Sequence, residues 1–435
     1  MKTNLLESYK GRLAVSESYY AKNHNGEKLS GNKKLVVAKL LENTNKYLNE
    51  AFENSVGTQR SDMGLYRKFA LNLTTVAVPN LIAFDLVIVQ PMTSMSGYVN
   101  YIEYVAGSNK GTTKQGTVFN SPFGLGSVDA NYTADKVVET VATTGTKGSF
   151  KAAWTPVLTG YFTDADGAKK DLKVTSATGT VTFVDVADYT PTEGDKVAYV
   201  YDNQIIPQND LPIINAEVKM IPLVAKARRI AIYYSQMAAF QAKTDYGFDL
   251  GDQLAEKAVG QLSYEIDTEI TQLLIDNAPA DNDLVWSKTL PVGVSKQEHY
   301  AGFVEILEIA RQKIYDRTKR FAPNYMLIAS NILPILAFIP GFEAAPVGSV
   351  NGPYFAGTLN GLKVFVTPNI TAGTFVIGVN GDDMMSSAAV YAPYMPIVPT
   401  QLLGFADGGN SQGWSTLYDA RLLNANLLVA GRVTA

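Results

Sequence analysis

Two histidines, His24 and His299, and no cysteine stand in a chain of 435 residues, which narrows the reactions it can perform. A catalytic triad, a carboxylate-oriented zinc site or an imidazole acid–base pair would need one of these histidines with partners close in space. Thiol catalysis and thiolate metal sites are closed altogether. His24 lies in a polar N-terminal stretch and His299 follows Glu298 in an expected loop, so both read as solvated surface side chains. Asp164-Ala165-Asp166-Gly167 opens like a calcium loop but lacks the third ligand before the glycine and the closing glutamate, and reads as a hairpin turn. Gly124 and Gly126 are not followed by a third glycine, and no Gly-x-x-x-x-Gly-Lys-Ser/Thr occurs, so neither phosphate-cradling loop is present. Asp382 and Asp383 are adjacent, which on extended backbone sends them to opposite faces, and a turn after Gly381 is the expectation. Lys226, Arg228 and Arg229 form a small basic cluster that on an acidic chain is expected to face a neighbouring subunit or water rather than phosphate. This inventory predicts no enzyme, no cofactor and no metal.

Composition points the same way. Hydrophobic residues make up 46% and charged residues 18%, an ordinary globular balance with length for two or three packed cores. Thirty-seven Lys plus Arg against 41 Asp plus Glu leave a net charge of -4, a field that does not draw in nucleic acid or an anionic membrane. Val76 to Val89, the most apolar run, is cut by Pro79, Asn80 and Asp85 and falls short of a membrane span. Glu7 and Lys10 interrupt the N-terminus before an apolar core of a signal could form, so the expectation is a chain made and used in the cytoplasm.

The elements that must carry the chain's function follow from periodicity. Residues 1–70 are polar, with helical spacing near Leu35 to Phe52, and read as an arm. Leu71 to Tyr104 turns apolar and β-branched, broken by Pro79, Pro91 and Gly97, which predicts strands separated by turns. Residues 107–212 shift to Gly, Thr, Asp and Tyr with alternating runs such as Thr180 to Val186 and Lys196 to Tyr201, as in a small all-β insertion. Leu250, Leu254, Ala258, Leu262, Ile266, Ile270 and Leu274 recur every fourth residue, predicting a long helix over 249–276 that Asp249 caps and Asn277 and Pro279 end. A second helix is expected from Phe303 to Lys319, then short strands at Tyr325 to Ala329, Lys363 to Thr367 and Thr374 to Val379. The class is α+β with mostly antiparallel strands.

Pro79-Asn-Leu-Ile-Ala-Phe-Asp-Leu-Val-Ile-Val-Gln-Pro-Met92 resembles, nearly residue for residue, a segment of the major capsid proteins of T-even-type tailed bacteriophages. Three further blocks agree in order: Ala225 to Arg229 with Tyr234-Ser235 and Gly247 to Asp249; Glu308 to Gln312 with Ile328 to Ser330; and Tyr391 to Tyr394. The resemblance spans about Asn72 to Tyr418 and implies the Hong Kong 97 capsid fold. In those terms 1–70 is the N-terminal arm, 71–106 the peripheral strands with the first E-loop strand, and 107–212 the insertion. The returning E-loop strand is then 213–240, the peripheral domain with its spine helix 241–320, the axial domain 321–400, and 401–435 the closing strands. Tyr98 to Tyr104 and Val218 to Ile232 are expected to form the E-loop itself.

The resemblance also implies partners. They are copies of the chain in hexamers or pentamers of an icosahedral lattice, scaffold and portal proteins, vertex or decoration proteins, and packaged double-stranded DNA enclosed without specific binding. Lys226, Arg228, Arg229, Glu308 and Arg311 become candidates for intersubunit salt bridges or domain-pinning pairs. The family's maturation protease cuts after Glu in a Leu/Ile-x-Glu context, which Leu48-Asn49-Glu50 before Ala51 fits, as do Leu5-Leu6-Glu7 and Leu40-Leu41-Glu42. A pentameric vertex protein of the same fold is the nearest alternative, told apart by copy number. A secreted or surface-layer adhesin is the alternative of another class, and it would need an export signal.

Overall fold

A computed structural model describes residues 2–23, 26–53, 70–111, 113–120, 132–163, 169–175, 180–183, 189–202, 211–345, 352–381, 383–400, 403–405 and 408–434. His24, Gly124 to Gly126, Asp164 to Gly167, Asp382 and the side chain of Ala51 lie outside them. The chain divides into two compact units, one of 1–99 and 220–435 and one of 100–219.

In the first unit the long helix runs Leu250–Asp276, about 40 Å at ~1.5 Å per residue. The Asp249 side chain accepts from the backbone N–H of Gly251 at 2.9 Å, so one of the otherwise unsatisfied amides of the first turn has a partner. At the far end the Asn277 side-chain amide donates to the Leu273 carbonyl at 2.8 Å. Ala258, Leu262, Ile266, Ile270 and Leu274 form its buried stripe, and each large aliphatic taken from water stabilises the fold by about 1.5–3 kcal/mol. Two sheets flank this core. One has the order Ile88–Val89, Ala389–Pro399, Gly409–Leu422, Lys226–Ser235, with Leu403–Gly404 added on Gly409–Leu422. The other has the order Ala280–Ser287, Leu428–Thr434, Thr374–Gly378, Tyr325–Ile328, Leu362–Val366, Tyr354–Leu359, Phe342–Ala344. Phe303–Thr318 is the second helix, burying Phe303, Leu307, Ala310 and Ile314. Parallel pairs join Ile88–Val89 to Ala389–Pro399, Ala280–Ser287 to Leu428–Thr434, and Tyr325–Ile328 to Leu362–Val366; the other described pairings are antiparallel.

Three expectations need correction here. Residues 1–70 were expected as an arm, but the helices Lys10–Asn23 and Gly31–Glu53 send Leu13, Val37, Ala38, Leu40 and Leu41 into the main core, a packing their polar surroundings conceal. The stretch from Leu71 was expected as strands, yet 70–77 and Ala83–Leu86 are helical and Val78–Asn80 is a 3-10 turn. Leu71, Val78, Ile82, Ala83, Phe84 and Leu86 are all buried, and burial on several sides overrides the strand preference of β-branched residues. The returning segment 213–240 is not one strand: Ile214–Val224 ends before Ala225, Lys226–Ser235 is an integral strand of the first sheet, and 236–245 is helical.

The second unit contains strands only, among its described elements. Its sheet order is Lys136–Thr140, Lys196–Tyr201, Val157–Thr163, Lys169–Thr175, Thr180–Phe183, Ser149–Lys151, antiparallel at each described register. Its own core gathers Val137, Val157, Phe162, Val181, Val197, Tyr199 and Tyr201. The strands Ser96–Ala106 and Ile214–Val224 sit side by side in a separate three-stranded sheet with Val118–Asn120.

Candidate assembly surfaces and pinning contacts

Two of the sequence blocks that carry the resemblance, Pro79 to Met92 and Tyr391 to Tyr394, meet in space. Ile88 pairs with Val390 and Val89 with Tyr391, and the ladder continues as the amides of Gln90 and Met92 each donate at 2.9 Å to the carbonyls of Tyr391 and Pro393. Lys226–Ser235 lies antiparallel to Gly409–Leu422, Arg228 opposite Thr416 and Ile230 opposite Trp414. Strand alternation turns Arg228, Ile230 and Ile232 inward, and the two isoleucines pack with Ala258, Leu262, Ile397 and Trp414.

Arg228 is where this strand is tied to the long helix. Its guanidinium donates at 3.1 Å to Glu265 and at 2.5 Å to Glu269, carboxylates one helical turn apart, and lies 5.8 Å from the centroid of the Tyr418 ring. Burial alone would pull the guanidinium down, but hydrogen bonding to Glu269 and the Glu269 charge carry it above its ordinary value. Burial, then the hydrogen bond to Glu269, pushes the Tyr418 hydroxyl up. Arg311 donates to Glu308 at 2.9 Å on its own helix and to the Asn360 carbonyl at 2.7 Å in the turn after Tyr354–Leu359. Lys226 and Arg229 are exposed and have no ion partner among the described residues. Of the five charged candidates, Arg228, Glu308 and Arg311 therefore make contacts within the chain, while Lys226 and Arg229 point to solvent. Glu50 is exposed in the last turn of the helix Gly31–Glu53, 3.8 Å from Lys46.

His299 departs from its expected place. It sits in the short helix Lys296–Ala301, stacks on Trp286 with ring centroids 4.8 Å apart, and its Nε2 lies 2.9 Å from the Ser287 carbonyl. Glu298, its neighbour, completes a capping box with Ser295. The loop reading failed because a six-residue helix is too short to show a period. Asp383 is likewise a cap, for the 3-10 turn Met384–Ser386. Among the described residues no group of three His, Asp or Glu could hold a metal ion, and no helix is long and apolar enough to cross a membrane.

Sequence reasoning missed three polar networks. Asp267 on the long helix accepts from the Ile82 amide at 3.1 Å, and its burial pushes the carboxyl up to about 8 against the pull of that bond and one from Ala83. Lys313 holds Asp281 and Asp283, each at 2.6 Å, fastening the second helix to Ala280–Ser287. Asp85, buried, accepts from Tyr20 at 2.7 Å and from Lys33 at 2.9 Å. Arg228, in a matching block, was the one legible half of its contact with Glu265 and Glu269.

Apolar side chains are left on the surface of the paired strands Ser96–Ala106 and Ile214–Val224. Tyr98 is 65% exposed and Val218 and Met220 are each 62% exposed. A narrow ribbon of this kind has little core of its own.

The sequence profile of the family Major capsid protein Gp23 matches residues 63–428. The major capsid protein of Enterobacteria phage T4 is 23% identical over 449 residues, covering 85% of this chain and 83% of that protein. That of Vibrio phage KVP40 is 23% identical over 390 residues, covering 80% and 74%. Among solved structures, a chain from Microbacterium phage Oxtober96 aligns at 11% identity and a TM-score of 0.38, covering 81% of this chain and 90% of that one. The mature capsid of bacteriophage PhiM1 aligns at 11% identity and a TM-score of 0.37, covering 54% and 79%. With the first and last matching blocks paired in one ladder and the profile running from 63 to 428, the chain belongs to the Gp23 family of major capsid proteins.

Proposed function

We propose that copies of this chain tile an icosahedral head, as hexameric and in places pentameric capsomers, around packaged double-stranded DNA. The chain is a structural, capsid-forming virion protein, and the family match over 63–428 carries that reading. A lattice subunit needs adhesive faces rather than a pocket. Each face can bury on the order of 1,600 Å² and remain modest in strength while closure multiplies the contacts. The exposed apolar ribbon supports strand-mediated contact with a neighbour. Exposed Lys226 and Arg229 are the intersubunit candidates; Arg228, Glu308 and Arg311 hold the subunit's own elements in place. The unit 100–219 buttresses outer-surface contacts. Scaffold and portal proteins are the assembly partners, in the host cytoplasm, with vertex or decoration proteins added. The net charge of -4 suits a wall that encloses DNA without gripping it.

The N-terminal segment is removed after Glu50 in this reading. Ala51 follows inside the last turn of a helix, so a protease must first unwind that turn.

Electron microscopy of the full-length chain, expressed alone and with its scaffold, tests the main reading. Shells, tubes or capsomer sheets are expected; a chain that stays monomeric in both settings overturns it.

A further inference from the structure

Two apolar features of the unit formed by 1–99 and 220–435 are left uncovered, and they carry opposite charge. One is a loop tip. Residues 287–298 are all exposed, with Leu290, Val292 and Val294 among them, and Val292 is 105% exposed, so nothing among the described residues covers it. The tip is nonetheless held at its base. The Lys288 amide donates to the Thr434 carbonyl at 2.9 Å, the Val294 amide to the Pro291 carbonyl at 3.4 Å, and Ser295 with Glu298 closes a capping box at the exit. From Ser287 to Gln297 the only charged residues are Lys288 and Lys296.

The other feature is the corner where the strand Lys226–Ser235 passes into the helix Gln236–Asp245. Met237 and Phe240 stand one helical turn apart, 69% and 67% exposed, and of this helix only Ala242 is buried. The exposed rings of Tyr233 and Phe405, with centroids 6.2 Å apart, lie at the start of the same helix, where the Gln236 amide donates to the Gly408 carbonyl at 2.9 Å. Along 236–252 one lysine, Lys243, stands against Asp245, Asp249 and Asp252, all of them exposed.

We propose that the tip 288–296 of one copy seats on this corner of a second copy. The inference rests on the reading of the chain as a lattice subunit and names one of its contacts. Tip against tip would oppose lysines and corner against corner would gather aspartates, so the favourable pairing is the unlike one. A contact between unlike patches of identical chains is heterologous, and it runs on from copy to copy until a ring closes or a lattice forms. Aliphatic side chains against Met237, Phe240 and two rings give an apolar centre, with the lysines and aspartates at its rim. The pinned base helps, because a tip that is already ordered loses little freedom on docking.

Particle yield of the full-length chain, counted by electron microscopy, tests the contact by a charge swap. Lys288→Glu with Lys296→Glu is expected to lower the yield about tenfold or more, and adding Asp245→Lys with Asp252→Lys to restore most of it. Asp249 is left alone because it caps the long helix. Normal yield from the tip variant overturns the proposal. So does a loss that the corner changes do not relieve, which would give the tip to a different partner. Should the fourfold variant fail to fold, a cysteine pair decides, since the chain has no cysteine of its own. Val292→Cys and Phe240→Cys proteins, assembled together and oxidised, are expected to yield a covalent dimer that neither yields alone; particles without that mixed dimer overturn the contact. A parent chain that forms no particle removes the lattice reading and this proposal together, whereas a parent that assembles beside an ineffective swap removes the contact only.

Discussion

Arg228 and Glu269 join the strand Lys226–Ser235 to the long helix through a 2.5 Å charge-assisted hydrogen bond, with Glu265 one turn away on the same guanidinium. Arg228→Met leaves two carboxylates side by side on the helix with no cation between them. The pair is partly exposed and solvent screens it, so the loss of unfolding free energy is expected at about 1 kcal/mol, with Arg228→Glu worse. Denaturant titration of the two variants checks the order; equal stability of Arg228→Glu and the parent would remove the pinning role.

Asp267 gives the fold a pH dependence of definite sign. Its folded value of about 8 lies above its ordinary 3.8, so between those values the native state holds a proton that the unfolded chain does not. The stabilisation is fully present below about pH 4, declines as pH rises, and is gone above about pH 8, at a slope on the order of 1 kcal/mol per pH unit. Asp267→Asn keeps an acceptor for the Ile82 amide and should flatten this part of the profile. Unfolding measured from pH 5 to about 9 in parent and variant decides it.

Val218→Asp with Met220→Asp places charges on one face of the exposed ribbon, since alternate residues of a strand share a face. Surface changes of this kind shift folding stability by less than about 0.5 kcal/mol. Particle formation, counted by electron microscopy, should fall at least tenfold, a loss on the order of 1.4 kcal/mol of contact. Normal heads from this variant would show that the ribbon face touches no neighbour.

Gly357 has φ +151, and a Cβ there would meet the Glu343 carbonyl oxygen at 2.2 Å across the pairing of Tyr354–Leu359 with Phe342–Ala344. Gly357→Ala is expected to cost about 1–3 kcal/mol and to open that edge pairing first. Hydrogen exchange at Ala345, whose amide donates to the Ala356 carbonyl at 2.9 Å, reads the opening directly.

The mass of the particle-bound chain tests removal after Glu50. A chain beginning at Ala51 is expected, and a full-length mass ends the idea.

Legibility in the sequence followed the range of the interaction. The long helix was readable because seven apolar residues four apart, a capping Asp249 and a terminating Asn277 are all local signals. The helical turns around Val78 to Leu86 were not, because Thr74, Thr75, Val76 and Val78 favour strands and only packing against Ile266, Ile270 and Tyr391 settles them otherwise. The Arg228 contact was half legible: the arginine stood in a matching block, while its two glutamates did not. Tyr20, Lys33 and Asp85 were invisible as a set, since the hydrogen bonds joining them span 52 and 65 residues and no period connects them.

In the seven-stranded sheet, the late strand Leu428–Thr434 lies between Ala280–Ser287 and Thr374–Gly378. During translation, those two earlier strands wait with unfilled backbone donors and acceptors until the chain has grown past residue 434, because non-local pairing cannot form before both partners exist. A chain that lacks Leu428–Thr434 has a slot in its sheet between those two strands. Such a fragment, with exposed strand edges, is a substrate for chaperones and proteases.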